Sequence, residues 1–326
     1  MPTKGTAHID RALTNMSVAY MQDGSAFIAD RVFPKIPVKK QSDVYFVYNK
    51  GDMFRDEARV RAAASESVGG EYGVEAADPY YCRVFAFHKD VTEQDRANYD
   101  EPLNADIDAN DFVSQKMLIK REVVWASKYF KASIWATEID GVDSTPVEDE
   151  SVVKFNLSTS TPIEVISNQA VKMASKTGFK PNTLVLSPYV FYALKNHATI
   201  LDRIKYTEKG IVTADLLASL FEVDNVYVAW GVVNEAGQGA NDDIDFIMGK
   251  HALLCYVNPK PALKKPSAGY MFTWTGFDGA GAFGNRTVRL PMDLLGLGTE
   301  RIEAEIAFDA KLIAQDLGVF FKDIVD

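Results

Sequence analysis

The best-looking motif for ligand chemistry is a run of glycines at Gly279, Gly281 and Gly284. Their spacing fits G-x-G-x-x-G, in which glycines let the backbone approach the pyrophosphate of a dinucleotide. That fingerprint must open a helix, because the pyrophosphate binds at the helix N-terminus. The residues that follow, NRTVRLP, are instead typical of a strand that ends at Pro291. We therefore predict a glycine loop between two strands and no nucleotide site.

A second candidate is a calcium loop that would begin at Asp106, Asp108 and Asn110. Calcium loops of this type need a glycine for the sharp turn and a closing glutamate that binds with both oxygens. Here those positions hold Asp111 and Met117. Carboxylates at the start of a helix complement the positive end of its dipole. We therefore interpret these acids as helix-stabilising residues.

Other metal-binding and nucleophilic patterns are weaker. The acidic cluster at residues 241–245 could hold a weak cation, although a solvated turn explains it better. Zinc sites pair their ligands at short spacings, which the scattered histidines lack. These residues are Asn241, Asp242, Asp243 and Asp245 in the cluster, and the histidines His8, His88, His197 and His251. We expect neither metal nor cofactor.

Motifs for covalent catalysis are missing from the sequence. It has neither a G-x-S-x-G elbow nor a phosphate-binding P-loop. Cys82 lies in a strand-like run and is interpreted as a small buried hydrophobe. Cys82 and Cys255 lack partners at metal spacing, and two thiols in 326 residues indicate a reducing compartment. We predict that the protein is not an enzyme and that it is made in the cytoplasm.

Composition limits the choice of partner. The chain is 47% hydrophobic and 25% charged, which is ordinary for a soluble globular protein, and its formal charge is -10. A protein that grips nucleic acid needs a surplus of Lys and Arg, so tight nucleic-acid binding is disfavoured. Enclosing nucleic acid without binding it stays possible. No apolar run approaches the roughly 20 residues that span a bilayer, so we expect no membrane partner.

The element that must organise this chain is a long helix from Asp106 to Lys131. Its apolar residues recur at helical spacing, with Phe112, Val113 and Trp125 among them, and Glu122 falls on the remaining polar face. A rod of this length near the middle of the chain would act as a spine on which the other parts are built.

An arm and a projecting hairpin are predicted before the spine. Residues 1–38 form the arm, with a short helix over 9–21. Two strand-like runs, 44–48 and 80–88, flank a charged segment that is too polar to form a core. An isolated hairpin is marginally stable in water, so we expect it to lie on another subunit, with a flexible surface loop as the alternative. The residues predicted at this interface are Phe54, Arg55, Glu57, Arg59 and Arg61.

Helices and strands alternate from about residue 160 to 270, which predicts a compact α/β domain. Thr161, Pro162 and Glu164 predict a helix start with a capping box, and Gly178 predicts its end. Pro188 opens a helix that should run to about Ile200. Strands return in the tail, where 301–308 alternates between apolar and charged residues.

This order of parts resembles the major capsid protein of tailed bacteriophages, with the Hong Kong 97-like fold. The resemblance is carried by the hairpin flanks VYFVYNKGDMFRDEARVR and YYCRVFAFHKDV, the spine from Asp106, and the run TLVLSPYVFYAL. It implies an α+β fold with an N-terminal arm at 1–38 and an extended loop at 39–92. A peripheral domain would comprise 93–159 and 286–326, with the spine at 106–131, and an α/β axial domain would comprise 160–285.

The resemblance also implies a function. Copies would assemble into hexamers and pentamers of an icosahedral shell that encloses double-stranded DNA without sequence-specific binding. The expected partners are the chain itself, a separate scaffolding protein and a portal, and the location is the virion capsid after assembly in the host cytoplasm. Lys50 has no identifiable partner, so crosslinking between subunits is not predicted. An encapsulin-like compartment and a soluble α/β enzyme are the alternatives.

Overall fold

The computed structural model describes residues 21–76, 78–99, 104–205, 212–261, 265–281 and 283–326. The helix predicted over 9–21 falls almost wholly outside these residues, as does the first half of the predicted arm.

The described helices and strands follow one another as an arm, a hairpin, a long helix, an α/β segment and a strand-rich tail. The α-helices are α1 (Ala29–Val32), α2 (Lys50–Met53), α3 (Glu93–Asn98), α4 (Ala105–Tyr129), α5 (Pro162–Thr177), α6 (Pro188–Lys195), α7 (Ala198–Ile204) and α8 (Ala214–Phe221). The strands are β1 (Lys35–Val38), β2 (Ser42–Asp43), β3 (Phe46–Tyr48), β4 (Val74–Ala76), β5 (Tyr80–Tyr81), β6 (Arg83–Val91), β7 (Thr137–Val142), β8 (Ser151–Val153), β9 (Thr183–Leu186), β10 (Asn225–Val228), β11 (Val232–Asn234), β12 (Ile244–Phe246), β13 (Ala252–Cys255), β14 (Gly269–Trp274), β15 (Asn285–Pro291), β16 (Glu300–Leu312) and β17 (Gly318–Lys322). Short 3-10 helices lie at Gly24–Ala26, Asp293–Leu295 and Gln315–Leu317.

Helix α4 is the predicted spine, 25 residues long. The side chain of Asn104 accepts hydrogen bonds from the backbone N–H groups of Asp106 and Ile107, which caps the first turn. Val113 and Trp125 are buried as expected, whereas Phe112 is exposed. The prediction for Glu122 is wrong, because this residue is fully buried. The helix face that carries it is covered by the arm, which helical periodicity does not predict.

The spine sheet consists of β1, β14, β16, β15 and β6, and α4 packs on β6 and β16. Strand β16 is its centre, because β6 pairs with it along one edge while β15 and then β14 pair with it along the other. The predicted alternation holds in part, since Ile302, Ala304 and Phe308 are buried, whereas Ile306 is half-buried and Ala307 on the opposite face is buried. The sheet gives the spine helix an apolar surface to cover.

The central sheet is ordered β10-β9-β13-β17-β7-β8, and helices α5 to α8 contribute to the core around it. Strand β9 is buried throughout, as its sequence TLVL predicts. Helix α5 ends at Gly178, whose φ of 74° is the left-handed cap that glycine favours. The capping box at its start is wrong, because the Thr161 side chain makes no capping hydrogen bond. The helix predicted from Pro188 to Ile200 is two helices, with His197 capping the second.

Strand pairing divides the chain differently from the predicted boundaries. Strands β7, β8 and β17 were predicted for the spine-containing domain but complete the central sheet. Strand β14 was predicted for the α/β domain but pairs with β1 and β16 in the spine sheet. Pairing between segments far apart in sequence depends on the tertiary fold, so local pattern did not reveal these exchanges.

Candidate functional site

The predicted hairpin is strongly exposed to solvent. We use the term hairpin for residues 42–81. Two short ladders build it, one joining β2 to β5 and one joining β3 to β4. At its turn Asn49 caps α2 by accepting the N–H of Gly51, and Asp52 accepts the N–H of Gly73. The predicted pairing of 44–48 with 80–88 is wrong, because β3 pairs with β4, β5 pairs with β2, and 83–91 forms β6 and pairs with β16.

The hairpin presents apolar side chains to solvent. Val60 is fully exposed, at 102% of its reference area. The exposed apolar residues of the hairpin are Val44, Phe46, Val47, Met53, Phe54, Val60, Val68, Tyr72, Val74 and Tyr81. Contiguous exposed apolar surface marks sites of protein–protein interaction. The hairpin is therefore a candidate interface between subunits.

The five predicted interface residues lie together on this segment and are all exposed. Arg55 forms ion pairs within the hairpin, at 3.1 Å to Asp52 and 3.8 Å to Glu57. Among the described residues Arg59 and Arg61 form no ion pair, so their charges are available to a partner. A Cβ atom added to Gly178 would lie 3.2 Å from Cζ of Phe54, so this ring contacts the end of helix α5 in its own chain.

The α2 segment of the hairpin is tied to the rest of the chain by Lys50. Its ammonium group forms an ion pair with the carboxylate of Asp316, next to strand β17. Lys50 therefore has a partner within its own chain, which sequence spacing could not identify.

The glycine loop lacks the geometry of a dinucleotide site. The chain between β14, which ends at Trp274, and β15, which begins at Asn285, is a loop in its described residues, and a strand follows Gly284 where the fingerprint requires a helix. Gly284 has a φ of 66°, and a Cβ atom there would lie 2.7 Å from the Trp274 carbonyl oxygen. This glycine is therefore required by close backbone packing, which the prediction of a loop between strands did not include.

A Ser–His pair exists but is enclosed. Oγ of Ser160 lies 2.9 Å from Nε2 of His197, and both residues are buried. The Ser160 hydroxyl donates to the Leu157 carbonyl oxygen, and Nδ1 of His197 lies 2.8 Å from the Thr199 hydroxyl. Because a nucleophile must reach its substrate, this pair is better explained as a satisfied polar link between the loop before α5 and the start of α7.

Asp106, at the start of α4, is paired with two arginines. Arg96 donates to Asp106 at 2.9 Å and to Glu300 at 2.8 Å, and Arg289 lies 3.6 Å from Asp106. At the other acidic cluster, Asn234 donates to Asp242. Within the described ranges no group of three or more His, Cys, Asp or Glu side chains is arranged to hold a metal ion.

The described helices were also compared with the requirements of a membrane span. None of them combines sufficient length with sufficient hydrophobicity to cross a bilayer.

Glu122 is the functional side chain that the sequence pattern missed. Its carboxylate accepts the N–H of Ile28 at 3.0 and 3.1 Å and the N–H of Ala29 at 2.9 Å. Burial raises the pKa of Glu122 to about 7, while these N–H groups and the nearby Arg121 lower it. The side chain thus fixes the arm to the spine helix. The only sequence signal that could have indicated this role of Glu122 is a single acidic residue among the apolar residues of the helix.

A second missed feature is an exposed apolar turn between β15 and β16, residues 292–299, which we call the leucine loop. Leu294 is 99% exposed, Leu297 84% and Leu295 54%. In the sequence MDLLGLG, the two glycines are the only residues that indicate an exposed turn.

Comparisons with known proteins were made by sequence and by structure. No family model matches the chain. It is 36% identical over 104 residues to the major capsid protein of Burkholderia phage BcepMu, which covers 32% of this chain and only 33% of that protein. It is 24% identical to the major capsid protein of Pseudomonas phage JBD67 over 97% of both chains. Similarity to a phage capsid protein therefore extends over the whole sequence.

Solved structures share the fold. A phage-related protein from Bordetella bronchiseptica RB50 has a TM-score of 0.69, with 21% identity over 93% of this chain and 94% of that chain. The capsid of cyanophage P-SCSP1u has a TM-score of 0.60, with 9% identity over 94% and 90%. An encapsulin from Synechococcus elongatus PCC 7942 has a TM-score of 0.54, with 10% identity over 97% and 95%.

The fold alone does not separate phage capsids from encapsulins, because both are among its structural relatives. The two sequence relatives are both phage major capsid proteins, and one of them matches from end to end. The α+β architecture with its hairpin, spine helix and two sheets agrees with that assignment. The chain is similar over nearly its whole length to a phage major capsid protein, and it has the Hong Kong 97-like fold of phage capsids.

Proposed function

We propose that copies of this chain form the hexamers and pentamers of an icosahedral shell around double-stranded DNA. The protein is a structural component of the virion capsid and assembles with copies of itself. The observation that carries this proposal is the exposed hairpin on a chain that matches a phage major capsid protein over 97% of its length. A subunit that exposes so much apolar surface gains stability by burying it against identical neighbours.

In this proposal the hairpin overlaps a neighbouring subunit. Phe54 supplies apolar area, and Arg55, Glu57, Arg59 and Arg61 supply charges of both signs. Because Arg59 and Arg61 are unpaired among the described residues, they are the better candidates for ion pairs with the neighbour. Lys50 and Asp316 hold the α2 segment of the hairpin, so its direction relative to the subunit is restricted.

The domains would divide the work of assembly. Residues 1–38 would be the arm and 39–92 the extended loop. The spine sheet with α4 would form the core of the peripheral domain, predicted as 93–159 and 286–326. The central sheet with α5 to α8 would form the axial domain, predicted as 160–285, around the fivefold and sixfold axes. The strand exchanges described above tie the two domains to each other.

The remaining partners follow from the same assignment. A net charge of -10 suits a container that lets DNA move during packaging, since it offers few cations to hold phosphates. DNA would be enclosed without sequence-specific contacts, and a separate scaffolding protein and a portal would take part in assembly in the host cytoplasm. The chain would act without a cofactor and without catalysis.

An encapsulin-like compartment is the second candidate, favoured by the structural similarity to the encapsulin. Particles purified from infected or induced cells distinguish the two. Packaged DNA and attached tails support the phage capsid, whereas a cargo enzyme without DNA supports the compartment.

Electron microscopy of the expressed protein, together with its mass by light scattering, tests assembly directly. We expect closed shells or capsomer rings. Deleting Phe54–Gly73 should abolish shells and leave a folded subunit, because β3 and β4 remain able to pair. A matched control shortens the exposed turn Gly237–Ala240 and should still form shells. Normal shells from the hairpin deletion would show that the hairpin is not the clamp.

The soluble enzyme alternative predicts a different result. It requires a stable monomer, even with scaffolding protein supplied, that binds nucleotide near the glycine loop. Equilibrium dialysis of the purified subunit with a dinucleotide measures this, and saturable binding abolished by Gly279→Val would support the enzyme.

A further inference from the structure

Strand β6 lies at one edge of the spine sheet, and its outer side is open. It pairs with β16 over the nine residues Arg83–Val91, and β15 and β14 occupy the other side of β16. No strand among the described residues pairs with the outer side of β6. An edge strand of this length presents a row of backbone groups with which an extended polypeptide can pair.

The register of the sheet identifies the backbone groups on this open side. The N–H of Ala307 donates to the carbonyl oxygen of Gly284, so Ala307 directs its backbone groups toward β15 and away from β6. Its partner on β6, Val84, therefore directs its own groups outward. Because this direction alternates along a strand, the outward N–H and C=O groups are those of Val84, Ala86, His88 and Asp90. None of these groups has a hydrogen-bond partner in the part of the chain that the structure describes.

Two lysines of the spine helix lie beside this strand, over its aromatic rings. Nζ of Lys120 is 5.5 Å from the ring centre of Phe85 on β6. Nζ of Lys116 is 5.3 Å from the ring centre of Phe112, which lies 5.7 Å from that of Phe87 on β6. Lys116 and Lys120 are one helical turn apart, so they form a row along the strand.

Two cations of β6 itself extend this row. Side chains alternate along a strand, so Arg83 and Lys89 share the face of the two rings. Asp90 lies on the opposite face and is paired with Arg301 at 2.7 Å. The cations of the row are all exposed, and within the described ranges none of them forms an ion pair: Arg83, Lys89, Lys116 and Lys120. These charges are therefore available to a partner. We call the open side of β6 together with these four cations the β6 edge.

The backbone groups and the charges of the β6 edge both specify its occupant. A strand can satisfy the open N–H and C=O groups, which nucleic acid cannot do in the same way, and carboxylates complement the cations. Pairing of the β6 edges of two copies would bring cations of one copy close to those of the other, which is unfavourable. The hairpin tip of a neighbouring copy carries Arg59 and Arg61, which the same cations repel. The charges therefore favour an acidic segment from another protein.

We infer that the β6 edge binds an extended, acid-rich segment of a second protein, which adds a strand to the spine sheet. Backbone hydrogen bonds would hold the segment in register, and its carboxylates would meet Arg83, Lys116 and Lys120. This inference goes beyond the proposed shell and does not depend on it, because the β6 edge belongs to a single subunit.

Fluorescence anisotropy of a labelled model peptide tests the inference on the full chain. The probe alternates glutamate and valine and has the length of β6. We expect saturable binding to the purified subunit that weakens as salt is added. The same peptide methylated at every backbone nitrogen has no N–H group to donate to a strand edge, so it should not bind. Hydrogen exchange measured by mass spectrometry should show new protection of residues 83–91 when the unmethylated peptide binds.

A matched pair of charge reversals locates the site. Lys116→Glu/Lys120→Glu should weaken peptide binding by about tenfold or more, because carboxylates then face carboxylates. Lys176→Glu/Lys195→Glu makes the same change of net charge at exposed lysines of α5 and α6 and should bind like the wild type. Circular dichroism checks that both variants are folded. If the first variant does not fold, Arg83→Glu takes its place.

Several results would overturn the inference. They are no binding of the peptide by the wild type, equal weakening by both double variants, and equal binding of the methylated peptide. Preferential binding of a thymidine oligonucleotide that depends on Lys116 and Lys120 would show a phosphate-binding surface instead. Peptide binding by free subunits but not by assembled shells would show that a second copy covers the β6 edge. Each of these results would leave the proposed shell function in place, which depends on particle formation.

Discussion

Glu122 on the spine helix accepts hydrogen bonds from two consecutive backbone N–H groups of the arm, those of Ile28 and Ala29. These N–H groups lie at the start of α1, where they have no partner within the helix. One fully buried carboxylate therefore joins segments that lie 94 residues apart in sequence. Phe27, Ile28, Ala29, Val32 and Phe33 of the arm are buried, and the last four belong to one hydrophobic cluster with Trp125 of the spine helix.

Replacing Glu122 by Ala should destabilise the subunit by about 2–4 kcal/mol, because two buried N–H groups lose their acceptor. Urea denaturation followed by tryptophan fluorescence measures this change, since Trp125 lies one turn away on the same helix. The control is Asp111→Ala, an exposed acid on the same helix, which should change stability by less than about 0.5 kcal/mol. Equal effects of the two substitutions would contradict the role assigned to Glu122.

The same residue predicts a pH dependence. Burial raises the folded-state pKa of Glu122 from 4.5 to about 7, so the folded state binds the proton more tightly than the unfolded state does. The resulting stability is fully present below pH 4.5 and is lost as pH rises through about 7. Asp30 and Arg121 are the charged groups that face this carboxyl. We expect the stability advantage of the wild type over Glu122→Gln to decrease between about pH 5 and pH 8. A difference in unfolding free energy between the two proteins that stays constant over that pH range would contradict this prediction.

Reversing the hairpin charges should prevent assembly and spare folding. The variant Arg59→Glu/Arg61→Glu changes two exposed residues that form no ion pair among the described residues, so the free energy of unfolding should stay within about 0.5 kcal/mol of wild type. Light scattering should show a strong loss of shells. Lys195→Glu, a charge reversal on the exposed side of α6, provides the control and should assemble. If the double variant forms shells at wild-type yield, these arginines do not contribute to the interface.

Substitution by alanine should lower the stability of the protein at one glycine, Gly284, and leave it nearly unchanged at another, Gly237. Gly284 has a positive φ, and an added Cβ would lie 2.7 Å from one carbonyl oxygen and 2.8 Å from another. Gly284→Ala should therefore cost about 2 kcal/mol or more. Gly237 has nothing within 4 Å of an added Cβ, so Gly237→Ala should be nearly neutral. Thermal unfolding of both variants measures the difference, and similar melting temperatures would argue against the close packing at Gly284.

The spine helix and strand β16 could be predicted because their signals are local. The periodicity of α4 and the alternation of Ile302, Ala304 and Phe308 involve residues that lie close together in the sequence. Thr213 likewise caps α8 from the adjacent sequence, by accepting the N–H of Leu216. Each of these features depends on a few consecutive residues, so sequence pattern is sufficient for them.

Other features depend on segments that meet only in the folded chain. The sheet that β17 joins is decided by its contacts with β13 and β7. Glu122 is buried because the arm covers it. The leucine loop is held in place by Arg96, which lies 202 residues before Gly298 in the sequence. Helical periodicity placed Glu122 on a polar face because the pattern does not include what covers that face. Packing between segments far apart in sequence therefore accounts for most of the differences between the sequence predictions and the structure.

The way the hairpin is attached has a mechanical consequence. Its first strand follows β1 and its last strand continues into β6, so both ends enter the spine sheet. Strand β6 pairs with β16 over nine residues, in antiparallel register. Tension on the hairpin, such as internal pressure pulling neighbouring subunits apart, would act along β6 and load this ladder in shear. Its backbone hydrogen bonds would then resist together instead of opening one after another.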